Sequence, residues 1–245
     1  MVILFSPSEG KTEIHNSPKI NEDSFIFKDL YKERLEVINY YNEYIKNGSF
    51  DDLTKVFGIK DEKEVGDLKN NVLELETCEA ILRYNGVAYD HLDYNSLDNN
   101  GKEYILDHTI IFSNLFGPIK ASDKIPVYKL KQGAKLGKFN IEKYYKTVFS
   151  SALDSYLDLE DIIDLRAGFY EKFYTINKPY YTFKFLKNGK VVSHFAKAYR
   201  GIILRVAALN QVKNIDDLIK ALPVELHLID KVVTGNKTEY ILDIL

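Results

Sequence analysis

Residues 181–205, YTFKFLKNGKVVSHFAKAYRGIILR, constrain the fold more than any other stretch, because three local signals meet there. Residues 181–186 and 190–195 are rich in aromatic and β-branched side chains, which suit the pleated surface of a strand. Lys187-Asn188-Gly189 between them supplies the asparagine–glycine pair of a tight hairpin turn. The second strand runs straight into residues 196–210, where apolar residues recur at helical spacing. Lys197 and Arg200 stand in the first turns of that helix, where backbone N–H groups already favour an anion, so a phosphate or carboxylate site is expected. Gly201 costs roughly 1 kcal/mol relative to alanine inside a helix, which points to a neighbour packed closely against it.

The other elements follow from pattern. Residues 2–5 read as a short buried strand, residues 109–112 as a second and residues 161–165 as a third. Helices are expected over residues 28–46, with Leu30, Leu35, Ile38, Tyr41 and Ile45 on one stripe, and over 141–157, capped by Asn140 with Tyr144, Val148, Ala152 and Tyr156 on one stripe. Residues 51–57 and 61–75 read as helical pieces joined through Gly58, residues 78–85 as one more helix, and residues 214–221 as a short helix stopped by Pro223. Residues 226–233 and 238–244 flank Thr234-Gly235-Asn236-Lys237 as a second hairpin. With no internal repeat, low-complexity tract or linker, residues 1–245 are expected to form a single α/β domain: a mixed sheet, two β-hairpins and surrounding helices.

One cysteine, Cys78, excludes an internal disulfide framework, and no apolar run reaches about 18 residues, so a cytoplasmic protein without membrane contact is expected. The N-terminus has no basic region before its apolar run, unlike a signal peptide. Cys78 lies among Glu74, Glu76 and Glu79, which discourages a thiolate. His91 and His108 have no spacing that suits a metal, and no motif asks for a cofactor.

Charge is uneven along the chain. Residues 1–119 hold 12 Lys+Arg against 22 Asp+Glu, whereas residues 120–146 hold 8 against 2 and residues 166–205 hold 9 against 1. If the two basic blocks share a face, that face attracts a polyanion or a phosphorylated ligand; if they do not, they are a solvated lysine-rich surface.

Chemistry-bearing residues collect where strands end. Ser6-Pro7-Ser8-Glu9-Gly10-Lys11-Thr12 follows the first strand, but the GxxxxGKT spacing is absent, which excludes a Walker-type phosphate loop. Ser113 ends the second strand, and Tyr170 and Lys172 follow the third. Glu9 is the acid–base candidate, with Tyr170 as a further catalytic candidate. Ser6, Ser8, Lys11, Ser113, Lys120, Lys129, Lys172, Lys197, Arg200 and Arg205 are the ligand- and phosphate-binding candidates.

Five motif regions, in order, resemble the bacterial peroxide stress protein YaaA family. They are SPSEGKT; Tyr84, Gly86 and Tyr89; the stretch FSNLFGPIKASDKIPVYKLKQGAKL; the strand with Tyr170 and Lys172; and Ser193, Ala196, Lys197, Arg200 and Gly201 with Arg205 beyond. Asn114, Ala121 and Lys131-Gln132 depart from the family's glycine, proline and glutamate–methionine. Lys120 and Lys129 stand for arginine, which trades forked phosphate contacts for point charges. Arg166, Ala167 and Phe169 stand where alanine, serine and glutamate are usual. The resemblance implies a mixed α/β fold of unusual topology in a cytoplasmic bacterial protein. It also implies double-stranded DNA binding through a basic cleft and a helix-hairpin-helix, and a part in limiting peroxide damage linked to free iron. Beside it stands an enzyme acting on a nucleotide, nucleobase or other phosphorylated small molecule, and a protein whose motifs define only a fold that acts through a partner.

Overall fold

The computed structural model describes residues 1–245, apart from the side chains of Ser193 and His194. Val2–Phe5 (β1) is apolar throughout and buried at every residue, as a central parallel strand requires. The chain then leaves the sheet for Tyr31–Asn47 (α1), Phe50–Phe57 (α2) and Glu62–Asp67 (α3). Ser49 and Asp61 cap α2 and α3 by accepting the amides of Asp52 and Glu64, and Gly58 ends α2 in the left-handed conformation at φ 71°. Short pieces follow: Thr77–Glu79 (β2), Ala80–Arg83 (α4), Val87–Leu92 (α5) and Asn99–His108 (α6).

Thr109–Ser113 (β3) returns parallel to β1, with Ile3 opposite Thr109, and Gly117–Lys120 (β4) turns back antiparallel on it. Lys124–Pro126 (β5) pairs with β2 in a separate two-stranded sheet. Ile141–Tyr156 (α7) then carries the chain to Ile162–Asp164 (β6) on the other side of β1. Tyr180–Lys187 (β7), Lys190–Val191 (β8) and Ser193–Leu209 (α8) follow, then Ile215–Ala221 (α9), Leu226–Thr234 (β9) and Lys237–Ile244 (β10). The sheet order is β4-β3-β1-β6-β7-β10-β9, with β8 on β7. β1, β3, β6, β7 and β10 run one way, with β4, β8 and β9 against them. The mixed α/β fold expected from the sequence is the one observed.

The β7–β8 hairpin forms through Asn188 (φ 52°) and Gly189 (φ 72°), two left-handed residues in a row, the geometry that asparagine–glycine favours. Other expectations shift. The buried stripe of α7 is Ile141, Tyr145, Phe149 and Leu153, one position along from the expected one, and Tyr144, Val148, Ala152 and Tyr156 form its half-buried flank. α1 buries Arg34 beside Val37, Ile38, Tyr41 and Ile45; its guanidinium stacks on Phe25 and Phe149 and donates to the Pro118 carbonyl. α3 stops at Asp67 and gives way to a turn capped by Asn71, well short of residue 75. Cys78 lies on β2 and is buried; burial raises its thiol pKa, so the thiol form is favoured for a reason other than the expected acidic helix. No helix among the described residues is long and apolar enough to cross a membrane.

Candidate functional site

β1 lies between β3 and β6, and the sheet grows from it in both directions, so the crevice at the carboxyl ends of β1 and β6 is a topological switch point. Open α/β sheets bind ligands at such a crevice. Here it holds a cavity of about 270 Å³. The loop after β1 supplies Ser6, Pro7, Ser8 and Glu9, the loop after β6 supplies Ala167 and Tyr170, α5 supplies Val87, Ala88 and Tyr89, and α8 supplies Lys197 and Arg200.

Hydrogen bonds fix these loops to one another. Ser6 Oγ accepts the Ala167 amide at 2.8 Å, and the Ser6 carbonyl accepts the Tyr89 hydroxyl at 2.9 Å. Ser6 therefore joins the first loop to both the third loop and α5. Glu9 Oε1 accepts the Gln132 amide at 3.3 Å, which brings the first basic block to the same rim. α8 reaches the cavity because Gly201 allows it: a Cβ there would stand 2.0 Å from the Ala88 carbonyl oxygen. The close neighbour expected from that glycine is α5.

Lys11 does not line the cavity but supports it. Its Nζ donates to the carbonyls of Ser8 and Glu9 at 3.2 and 3.3 Å and stands 4.1 Å above the Tyr128 ring. Burial, with Lys129 next, lowers its pKa to about 7, while Glu9 pulls the other way. Tyr128 bonds Ser113 Oγ at 2.8 Å and the Tyr84 hydroxyl at 3.0 Å. Ser113 also accepts the amides of Leu115 and Phe116, so it is a buried node of the framework rather than part of the cavity wall. Tyr170 is buried, and burial, ahead of the nearby Tyr128, raises its phenol pKa. Its hydroxyl is thus a hydrogen-bond donor at neutral pH, not a base.

The remaining cations fall into two kinds. Lys120 pairs with Asp107 at 2.9 Å, Lys124 with Glu79 at 2.9 Å, and Arg205 donates to the Leu92 and Asp93 carbonyls and Ser96 Oγ, tying α8 to the end of α5. Lys129 stands beside Lys11, and Lys172 lies over the Phe169 ring at 4.8 Å. By contrast, Lys197 and Arg200 have no hydrogen bond or ion pair among the described residues, although burial lowers the Arg200 pKa. Of the twelve candidate residues, Ser6, Ser8, Glu9, Tyr170, Lys197 and Arg200 share the cavity. Gln132 and the apolar wall of Phe5, Pro7, Val87, Ala88 and Leu165 were not among the candidates. Tyr89 carried a signal in the family motif, whereas the apolar wall carried none, because its residues read as ordinary core.

The peroxide stress protein YaaA family matches residues 1–228. The chain is 54% identical over 245 residues to an uncharacterized protein of Campylobacter jejuni, covering all of both chains. It is 34% identical over 222 residues to a UPF0246 protein of Corynebacterium glutamicum, 86% of each, and 27% identical over 242 residues to a UPF0246 protein of Francisella philomiragia, 90% of this chain and 91% of that one. By a family match over residues 1–228 and by relatives 54% and 34% identical over most or all of their length, this chain belongs to the peroxide stress protein YaaA family.

Proposed function

We propose that this chain acts in peroxide stress as a cytoplasmic DNA-binding protein, holding double-stranded DNA against the face where its basic blocks meet and limiting damage linked to free iron. The observation that supports the reading is that Gln132, flanked in sequence by Lys129, Lys131 and Lys135, lines one cavity with Lys197 and Arg200. The turn between α2 and α3 adjoins the same segment, since the Lys131 amide donates to the Val56 carbonyl at 2.8 Å and its side chain packs on Gly58. That turn is the proposed helix-hairpin-helix. Lys129, Lys135, Lys172, Lys197 and Arg200 are the phosphate contacts; Lys120, Lys124 and Arg205, already engaged, contribute less. Binding of short duplex DNA across a salt series tests this, because each phosphate neutralised adds roughly −0.9 to the log–log slope. A steep slope that Lys197→Ala/Arg200→Ala reduces is the expected result, and a flat one overturns it.

A second reading is favoured by the placing of the cavity at the strand ends and by the Lys11 amine beside it, whose pKa burial lowers to about 7: an enzyme acting on a nucleotide, nucleobase or other phosphorylated small molecule. Glu9 is then the acid–base group, Tyr170 a hydrogen-bond donor and Lys197 with Arg200 the anion clamp. Turnover of such a substrate, lost in Glu9→Gln even at saturating substrate, is the expected signature; binding with no turnover by the native protein rejects it.

A further inference from the structure

A duplex cannot enter a cavity of about 270 Å³, so the space behind the basic rim calls for a ligand of its own. That volume lies just under the roughly 300–1,000 Å³ of pockets for drug-sized molecules, which limits the occupant to one small molecule. The charged groups narrow its chemistry. Glu9, Lys197 and Arg200 all line the cavity, yet no ion pair joins Glu9 to either cation among the described residues. Opposite charges thus face one space without neutralising each other. Glu9 Oε1 accepts the Gln132 amide, and Oε2 has no protein donor among the described residues. Phe5, Val87 and Tyr89 add apolar surface to the same lining.

A complementary ligand has an anionic group for the two cations, N–H or O–H donors for the carboxylate, and a flat apolar body between them. We infer that the cavity takes one nucleoside monophosphate unit, its phosphate on Lys197 and Arg200 and its ring donors on Glu9. Arginine binds phosphate through a fork of parallel N–H bonds, and a half-buried guanidinium without a protein partner gains most from one. The inference rests on the small-ligand reading of the cavity and holds whether the nucleotide arrives free or as an extruded unit of a strand.

Calorimetric titration of the full chain with the four ribonucleoside monophosphates, their nucleosides and inorganic phosphate tests it. At least one monophosphate is expected to saturate the protein about tenfold more tightly than its nucleoside or phosphate, the scale of one charge-assisted hydrogen bond. Arg200→Gln should abolish the advantage over the nucleoside. Glu9→Gln, at an exposed position that leaves the fold unstressed, should weaken monophosphate and nucleoside alike and leave phosphate unchanged. Failure of every monophosphate to saturate at millimolar concentration overturns the inference, as does an Arg200→Gln protein that binds them unchanged. Competition with a duplex carrying one unpaired nucleotide, against the same duplex fully paired, separates the sources: stronger displacement by the unpaired one means an extruded nucleotide, and equal displacement means a free one. A chain that binds monophosphate but no duplex rejects the DNA reading and leaves this one standing.

Discussion

Arg166 and Arg200 belong to the same basic block, stand at the same end of the sheet and meet opposite fates. Arg166 Nε and Nη2 grip both oxygens of Asp164 at 2.8 and 2.9 Å, and Nη1 donates to the Tyr170 and Tyr174 carbonyls. Its guanidinium also lies 4.5 Å from the centre of the Phe112 ring. Four of its five N–H donors are used, and the loop after β6 is folded around it. Arg200 faces the cavity from α8 with no protein partner among the described residues; Asp164 acts on it only through space. A count of charges treats the two alike. The difference shows that a buried, fully bonded cation holds a loop in place, whereas a half-buried, unbonded one leaves its hydrogen bonds for something outside the chain.

Substitution should separate these roles sharply. Arg166→Ala strands the Asp164 carboxylate and two carbonyls in the interior, and removing one partner of a buried pair costs about 3–5 kcal/mol. Urea denaturation should show that loss, with Arg166→Lys recovering only part because a single ammonium cannot span both carboxylate oxygens. A loss under about 1 kcal/mol would mean that water replaces the missing bonds. Gly201→Ala comes next. Alanine gains roughly 1 kcal/mol of helix propensity, but its Cβ meets the Ala88 backbone, which cannot step aside as a side chain could. A net destabilisation of about 1–3 kcal/mol is expected, along with weaker anion binding as α8 is pushed away from the cavity.

The sequence makes the hairpins, the strand cores and the polar half of the cavity legible, because each rests on local chemistry. Asn188-Gly189 dictates its turn, Asn140 and Asn214 cap the helices that follow them, and Ser6, Ser8 and Glu9 occur where a buried strand ends. What it hides is set by tertiary partners. In α7, Tyr144 and Tyr145 are equally apolar by type, and only the packing of Tyr145 against Gly117 and Phe149 decides which faces the core. Cys78 takes a strand conformation because β5 is there to pair with it, with Ile125 opposite, far ahead in the chain. β4 opens with a glycine and a proline, which disfavour a strand, yet Gly117 adopts φ 67° under the Tyr145 ring and closes a hairpin onto β3. The partner of each cation is likewise invisible in sequence: Asp107 for Lys120 and Asp93 for Arg205 are distant in the chain or across a helix pair.

Lys11 extends the comparison from geometry to pH. Its folded pKa of about 7 lies below the ordinary 10.5, so between those values the folded protein holds fewer protons here than the unfolded chain. Stability therefore rises with pH from about 7 towards 10 and is lost as pH falls back through 7, where the buried amine must take up its proton. Lys11→Met should flatten that rise in denaturation curves collected from pH 6.5 to 9.5. An unchanged slope would mean that the two carbonyls and the Tyr128 face hold the ammonium charged across the range.

Arg200→Gln should give the smallest effect on stability. No protein hydrogen bond is lost among the described residues, and the desolvation that lowers the guanidinium's pKa is relieved, so the unfolding free energy should match the native protein within about 0.5 kcal/mol. The same substitution should remove the cavity's forked anion contact. Stability unmoved with anion affinity lost places Arg200 opposite to Arg166, whose variant should lose its fold before its binding can be measured. Stability that falls by more than about 2 kcal/mol would show that Arg200, too, is held by the framework, and the distinction between the two arginines would collapse.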